Sequence, residues 1–193
     1  MKNFINEWEK IDHRTRKTRK ALVGALSSIV GEKHLAEVTV SELAKRASIT
    51  RKTFYNHYRS IEAMVMDVEE RVIRSVLTLL DTNRELLRKG NTYEFFVRLT
   101  DWLERHQELW RIFSAVKDKQ VILEKLKKYI GKYMIRDMGE SLENAAVSSF
   151  RVSVYLDTVM NIFVKWLEDS MKVPGEKIAE MAQKLTESFL DRV

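Results

Sequence analysis

The chain has 193 residues, of which 45% are apolar and 32% charged, with one Pro, six Gly and no Cys. That length admits one or two domains with an ordinary core. The lack of Cys excludes a disulfide framework, a Cys-ligated zinc finger and thiol chemistry within it, and suits a reducing cytoplasm. The net charge of +6 is segregated: residues 1–60 carry 13 Lys and Arg against 6 Asp and Glu, and residues 61–193 carry 21 against 22. A basic N-terminal part beside a nearly neutral remainder is the electrostatic footprint of a phosphate-binding module joined to a second domain.

The opening stretch MKNFINEWEKIDHRTRK is charged throughout and has no signal-peptide apolar region, and no uncharged run is long enough to span a membrane. A soluble, cytoplasmic protein without a membrane partner is the expectation. Phe4, Ile5, Trp8 and Ile11 have helical spacing, either as an N-terminal arm or as an extension of the next helix. That helix is predicted from Arg14 to Val30, with Ala21, Leu22, Ala25, Leu26 and Ile29 on one face and Gly31 as its stop. Arg14, Arg16, Lys17, Arg19 and Lys20 form a basic run, readable as phosphate attraction or as a solvated helix face.

Thr39 to Val65 is the most informative stretch. Thr39 and Glu42 have capping-box spacing for a helix over Ser41–Ala47, whose Val40, Leu43, Ala44 and Ala47 face a core. Ser48-Ile49-Thr50 breaks the period; Ile49 plugs the angle and Thr50 is placed to cap the next helix. From Arg51 onward Phe54 and Tyr58, four apart, share a buried side, leaving Arg51, Lys52, Thr53, Tyr55, Asn56 and His57 on the surface. Two short helices, a three-residue turn and a donor-rich second helix are what a helix-turn-helix reader of DNA requires, because such a helix enters the major groove by its N-terminal end. Arg51 and Lys52 are placed for base edges, with Thr53 and Asn56 as further base or backbone contacts. Ser41 at the first helix and Thr50 complete the DNA-binding set.

The run LAKRASITRKTFYNHYRSIEAM resembles the DNA-binding signature of the tetracycline-repressor (TetR) family, in which a Thr-apolar-Tyr-x-x-aromatic stretch precedes a Ser/Asn-Lys-Glu step. Here those positions are Thr53, Phe54, Tyr55, Asn56, His57 and Tyr58, then Ser60, Ile61 and Glu62. The resemblance covers roughly residues 14–66 and implies that Tyr55 and His57 bond phosphates. Two positions depart from it: Ser48 stands where the turn usually has Gly, and Ile61 where Lys is usual.

Beyond the head, Ser60 starts a long helix through about Leu87, stopped by Gly90; Asn91 and Glu94 cap another through about Arg105; a shorter one lies around Leu109–Ala115. A basic helix spans about Lys119 to Met138, then an almost wholly apolar one Asn144 to Met171, a Val173-Pro174-Gly175 turn, and a last helix Glu176 to Leu190. The reading is all-α: a three-helix DNA-binding domain over residues 1–60 and a bundle of about six helices over residues 61–193. The apolar residues of the last two helices fit burial within one chain or between two. The resemblance implies a homodimer through them, with Val159, Phe163, Trp166, Met181, Leu185 and Phe189 as interface candidates. It also implies a transcriptional repressor on a palindromic operator, released by an apolar or aromatic small molecule. Trp102, Trp110, Phe113, Tyr129, Tyr133, Tyr155 and Met160 are pocket candidates, at positions that equally suit plain core.

No enzyme, cofactor or metal is expected. His13, His34, His57 and His106 show no paired spacing, no Gly-rich phosphate loop occurs, and carboxylate pairs such as Glu69-Glu70 and Glu168-Asp169 fall on helix surfaces. The alternatives are a helical protein-interaction adaptor that leaves DNA alone, and a regulator answering to a protein co-regulator instead of a ligand.

Overall fold

Helix boundaries follow the caps in the sequence. The computed structural model describes residues 12–117, 119–138 and 145–190, and among these it contains ten α-helices and one short 3-10 turn. They are α1 (His13–Val30), α2 (Val40–Arg46), α3 (Arg51–Tyr55), α4 (Ile61–Thr82), α5 (Arg84–Arg88), α6 (Thr92–Arg105), α7 (Gln107–Ala115), α8 (Lys119–Met138), α9 (Ala145–Glu168) and α10 (Gly175–Leu190). The all-α expectation holds. Phe4, Ile5, Trp8 and Ile11 lie outside the described residues. No described helix is long and apolar enough to cross a membrane.

One predicted helix is two. The long fourth helix ends at Thr82, and α5 begins at Arg84, because Asn83 leaves the helical conformation (φ −106°, ψ 14°). Its buried amide donates to the Leu79 carbonyl at 2.7 Å and accepts from Arg98 Nη1 at 2.7 Å. A side chain that bonds backbone locally and a distant guanidinium competes with the continuing helix, which periodicity alone does not reveal. The bundle beyond the head therefore has seven described helices, one more than expected.

The chain forms two compact units. The first runs to Thr78 and takes in His106–Lys119; the second comprises Leu79–Arg105 and the segment from Gln120 onward. In the first unit α1 buries Leu22, Val23, Ala25, Leu26 and Ile29 and packs on α2 and α7. Ala21, expected on that face, is exposed, and Val23 takes its place. In the second unit α10 packs along α6 and α9. Gly175 makes the α6 contact possible: a Cβ there would meet Glu104 Oε1 at 2.7 Å and Thr100 Cβ at 3.1 Å. Ser170 and Met171 turn the chain out of α9 with positive φ, and Trp166 Nε1 donates to the Val173 carbonyl at 2.7 Å, closing that turn.

Candidate nucleic-acid interface

The two-helix pattern is built as its caps dictate. Thr39 Oγ1 accepts the Glu42 N–H at 3.2 Å and opens α2; Thr50 Oγ1 accepts the Thr53 N–H at 3.1 Å and opens α3. The Glu42 carboxylate reaches back to the Thr39 backbone N–H, as the capping box expects, and also holds Lys33 Nζ at 2.6 Å. Arg46 makes a two-pronged bond to Glu32, at 2.6 and 2.9 Å, which ties the end of α2 to the residues after α1. Each bond holds its carboxyl below its ordinary range: Arg46 for Glu32, Lys33 for Glu42.

Between the helices, Ser48 adopts φ +55°, the left-handed conformation. A Cβ is crowded by the backbone there and Gly is free of that strain, so the departure expected at this position is real in the backbone. Ala47 and Ser48 are fixed by N–H bonds to the carbonyls of Leu43 and Lys45, and Ile49 by one to Ala44 at 2.9 Å. Ile49 is half-buried in the angle.

The helix α3 has five residues, so its orientation depends on its anchors. Phe54 is fully buried and lies edge-on to Tyr55 and tilted to Tyr58, with ring centroids 5.5 and 6.1 Å away. Tyr58, 6% exposed, donates its hydroxyl to Asp67 Oδ2 at 2.8 Å, and the Arg19 guanidinium lies 5.4 Å from its ring centre. Burial foremost, then the Asp67 carboxylate, pushes the Tyr58 hydroxyl well above the ordinary tyrosine range. Arg19 also approaches Asp67 at 4.0 Å. It is thus held against α4 within this unit, a packing role that neither reading of the basic run, phosphate attraction or a solvated face, included. Nothing local signals this: Asp67 lies nine residues beyond Tyr58 on another helix, and only folding shows the pair.

On the other side stand the predicted surface residues. Ser41, Thr50, Arg51, Lys52, Tyr55 and Asn56 are exposed, and Thr53 and His57 half-buried. Tyr55 is 50% exposed although its neighbour is fully buried. Arg51 and Lys52 make no ion pair among the described residues, unlike Arg46 and Lys33. His57 is held below its ordinary value, first by burial and then by the positive charge of Arg19. Ile61 is 8% exposed, so the position that departs from the resemblance packs into the core instead of supplying a surface cation. Together these residues form a rigid, positively charged corner with unpaired donors at the start of a helix, the geometry of a helix-turn-helix DNA-binding regulator.

The comparisons agree. A family model described as "Bacterial regulatory proteins, tetR family" matches residues 27–68, and one described as "Transcriptional regulator C-terminal region", of the TetR group, matches residues 90–188. The chain belongs to the TetR family of DNA-binding transcriptional regulators. It is 26% identical over 137 residues to the uncharacterized HTH-type transcriptional regulator YxbF of Bacillus subtilis, covering 70% of this chain but only 33% of that relative. It is 21% identical over 178 residues to the HTH-type transcriptional regulator EthR of Mycobacterium tuberculosis, covering 83% and 81%. Among solved structures it is similar in fold to NalD, the secondary repressor of the MexAB-OprM multidrug efflux pump in Pseudomonas aeruginosa, with TM-score 0.63, 16% identity and coverage of 93% and 97%.

The pocket candidates lie in both units and differ in burial and contacts. Trp110 and Phe113 lie on α7 in the first unit and stack on each other, centroids 5.0 Å apart. In the second unit Tyr155 stacks on Phe189 at 4.5 Å and bonds Thr186 at 2.8 Å. Thr186 already donates to the Ala182 carbonyl, so the Tyr155 hydroxyl is the donor. Tyr129 is 54% exposed on α8. Tyr133 is half-buried with the Arg84 guanidinium 5.8 Å from its ring centre, and Trp102 and Met160 are half-buried.

The interface candidates also divide. Val159, Phe163 and Trp166 are buried within their own unit, Phe163 against Phe96 at 5.9 Å, and so present little surface to a second chain. Leu185 and Phe189 are half-buried, and Met181 is 54% exposed. The exposed apolar residues of α9 are others, Val147, Phe150 (71% exposed) and Val154. They sit at helical spacing on the face opposite the core, where periodicity alone, in a helix apolar nearly all round, did not tell inside from outside.

Proposed function

We propose that the protein acts in the cytoplasm as a homodimeric repressor on a palindromic operator, with residues 1–60 as its reading head and residues 61–193 for dimerisation and response. The observation that carries this is the start of α3: Arg51 and Lys52 exposed and without ion pairs among the described residues, on a helix fixed from behind by buried Phe54 and Tyr58. Arg51 and Lys52 read base edges, with Thr53 and Asn56 as further contacts. Tyr55 and His57 bond phosphate, and Ser41 and Thr50 clamp the flanking backbone. A dimer places two such heads on half-sites about 34 Å apart. Its contact face is the exposed apolar strip Val147, Phe150 and Val154 with Met181, continued by Leu185 and Phe189. An apolar or aromatic small molecule releases DNA by binding one conformer of the second domain better than the other, with Trp102, Tyr133 and Met160 as the residues nearest in character to such a site.

Selection of bound fragments from random duplexes tests the reading. A palindromic product is expected, with affinity falling steeply as salt rises, at a log-log slope of about −0.9 per neutralised phosphate. No enrichment, or flat salt dependence, overturns the reading head in favour of an adaptor. Light scattering at micromolar concentration should give twice the chain mass, and Phe150→Glu the single mass; a monomeric wild type overturns the dimer.

A further inference from the structure

The exposed side of α8 carries an arrangement that operator recognition does not use. Val121, Lys125, Lys128, Lys132 and Ile135 follow at intervals of four, three, four and three residues, the spacing of a heptad seam, over about 21 Å of helix. Val121 is 54% exposed, the three lysines are exposed and Ile135 is half-buried. They form one wall of a groove of about 700 Å³, and Ser149, Val152, Ser153, Leu156 and Asp157 of α9 form the other. Its floor is apolar and closed by backbone: a Cβ on buried Gly131 would sit 3.5 Å from Leu156 Cδ1 and 3.7 Å from Val152 Cγ1.

Charge within the groove is divided. Its two acids, Glu124 and Asp157, both bind Lys127, Asp157 at 2.5 Å. Lys125, Lys128 and Lys132 have no ion-pair partner among the described residues. The seam therefore offers two aliphatic ends and three unneutralised cations one helical turn apart, above an apolar floor. Lysine stems can cover such a floor while their heads stay in water, yet the heads then remain uncompensated at close spacing. Duplex DNA would neutralise them but leave the floor unused. A second copy placed by a two-fold axis would set lysine against lysine.

We propose that the α8–α9 groove docks an acidic amphipathic α-helix of another protein, its carboxylates facing Lys125, Lys128 and Lys132 and its aliphatic residues over Val121 and Ile135. This is helix-in-groove recognition, with charge complementarity setting register. The test is display selection of helical peptides of about 15 residues on the whole protein, counter-selected on Lys125→Glu/Lys128→Glu/Lys132→Glu, followed by fluorescence anisotropy of the labelled winners. Expected winners carry Glu or Asp at i, i+3 and i+7 between aliphatic residues and bind the triple variant at least about tenfold more weakly. Peptides with Lys in place of those acids should bind the triple variant and not the wild type.

The triple variant should keep its unfolding temperature and its binding to the selected duplex, which separates loss of the groove from loss of fold or of the reading head. If it unfolds early, the single Lys128→Glu with its charge-swapped peptide gives the same comparison. The proposal is overturned by winners without the acidic pattern or by equal binding to the triple variant. It is overturned equally by displacement of the peptide with phosphatidylglycerol vesicles, or by a change of oligomeric state in the triple variant, which assigns the lysines to a membrane surface or a second copy.

Discussion

The reading head and the second unit place their aromatic side chains under different constraints. Within five residues of the head, Phe54 is core, Tyr55 is half in water and Tyr58 is buried but bonded to Asp67. In the second unit Phe96, Tyr155, Phe163 and Trp166 are all buried, and their polar atoms serve internal bonds. The difference is one of constraint. A five-residue helix has room for few anchors, so the remaining side chains are turned outward by geometry. A helix of 24 residues such as α9 can bury aromatics at many positions, and an aromatic there carries no directional message. The sharpest way to break the comparison is Phe54→Ala. Removing the one large anchor of α3 should cost about 3–5 kcal/mol and abolish duplex binding, measured by urea unfolding and fluorescence anisotropy. A small loss would mean that α3 is held by something other than this ring.

Next in size is the division of labour on the outward face. Arg51→Ala should cost about 1–3 kcal/mol at one base position and relax preference there, whereas Tyr55→Phe should weaken all duplexes alike and leave stability untouched. Competition against single-base variants of the selected site reads both. Equal losses on every sequence for Arg51→Ala would move that residue from base to phosphate. On the other side of the comparison, Tyr155→Phe removes one internal hydrogen bond and should cost about 1 kcal/mol of stability, with duplex affinity unchanged. A changed affinity at unchanged stability would return Tyr155 to the pocket set.

What the sequence made legible follows the same line. Caps and turn were readable because each rests on a local bond: Thr39 to Glu42, Thr50 to Thr53, the Pro174 turn before α10. The outward set of α3 was readable because it depends on four-residue spacing and on a motif. The break at Asn83 was not, because it depends on Arg98, fifteen residues on. The packing of Arg19 is hidden for the same reason, its partners Tyr58 and Asp67 being brought up by tertiary packing. In a helix apolar on nearly all faces the sequence gives no sign of which side stays inside: only the folded unit shows Val159, Phe163 and Trp166 buried and Phe150 and Val154 exposed.

Smaller effects sharpen the account of the turn. Ser48 holds φ +55° at the point where α2 hands over to α3. Ser48→Gly relieves left-handed strain but frees the unfolded chain, so the net gain should be modest, about 0.5–1 kcal/mol, read as a raised urea midpoint. Ser48→Val should destabilise by more, because a β-branched side chain fits that region worst. If both variants unfold like the wild type, the strain is absorbed elsewhere.

The smallest effect separates folding from DNA contact by sign. His57 in the free protein is held below its ordinary value of 6.5 by burial and by Arg19. Between that ordinary value and the lowered one, the unfolded chain binds a proton that the folded chain does not, so stability falls as pH drops through this window and levels off beneath it. A phosphate against the same imidazole acts the other way. It favours the charged ring, so the complex takes up a proton and affinity rises as pH falls. From about pH 7.5 to about pH 5.5, the wild type should therefore lose stability while its tightness on the selected duplex increases relative to His57→Gln. Affinity that follows stability downward in both proteins would remove His57 from the phosphate contacts and leave it a packing residue of the head.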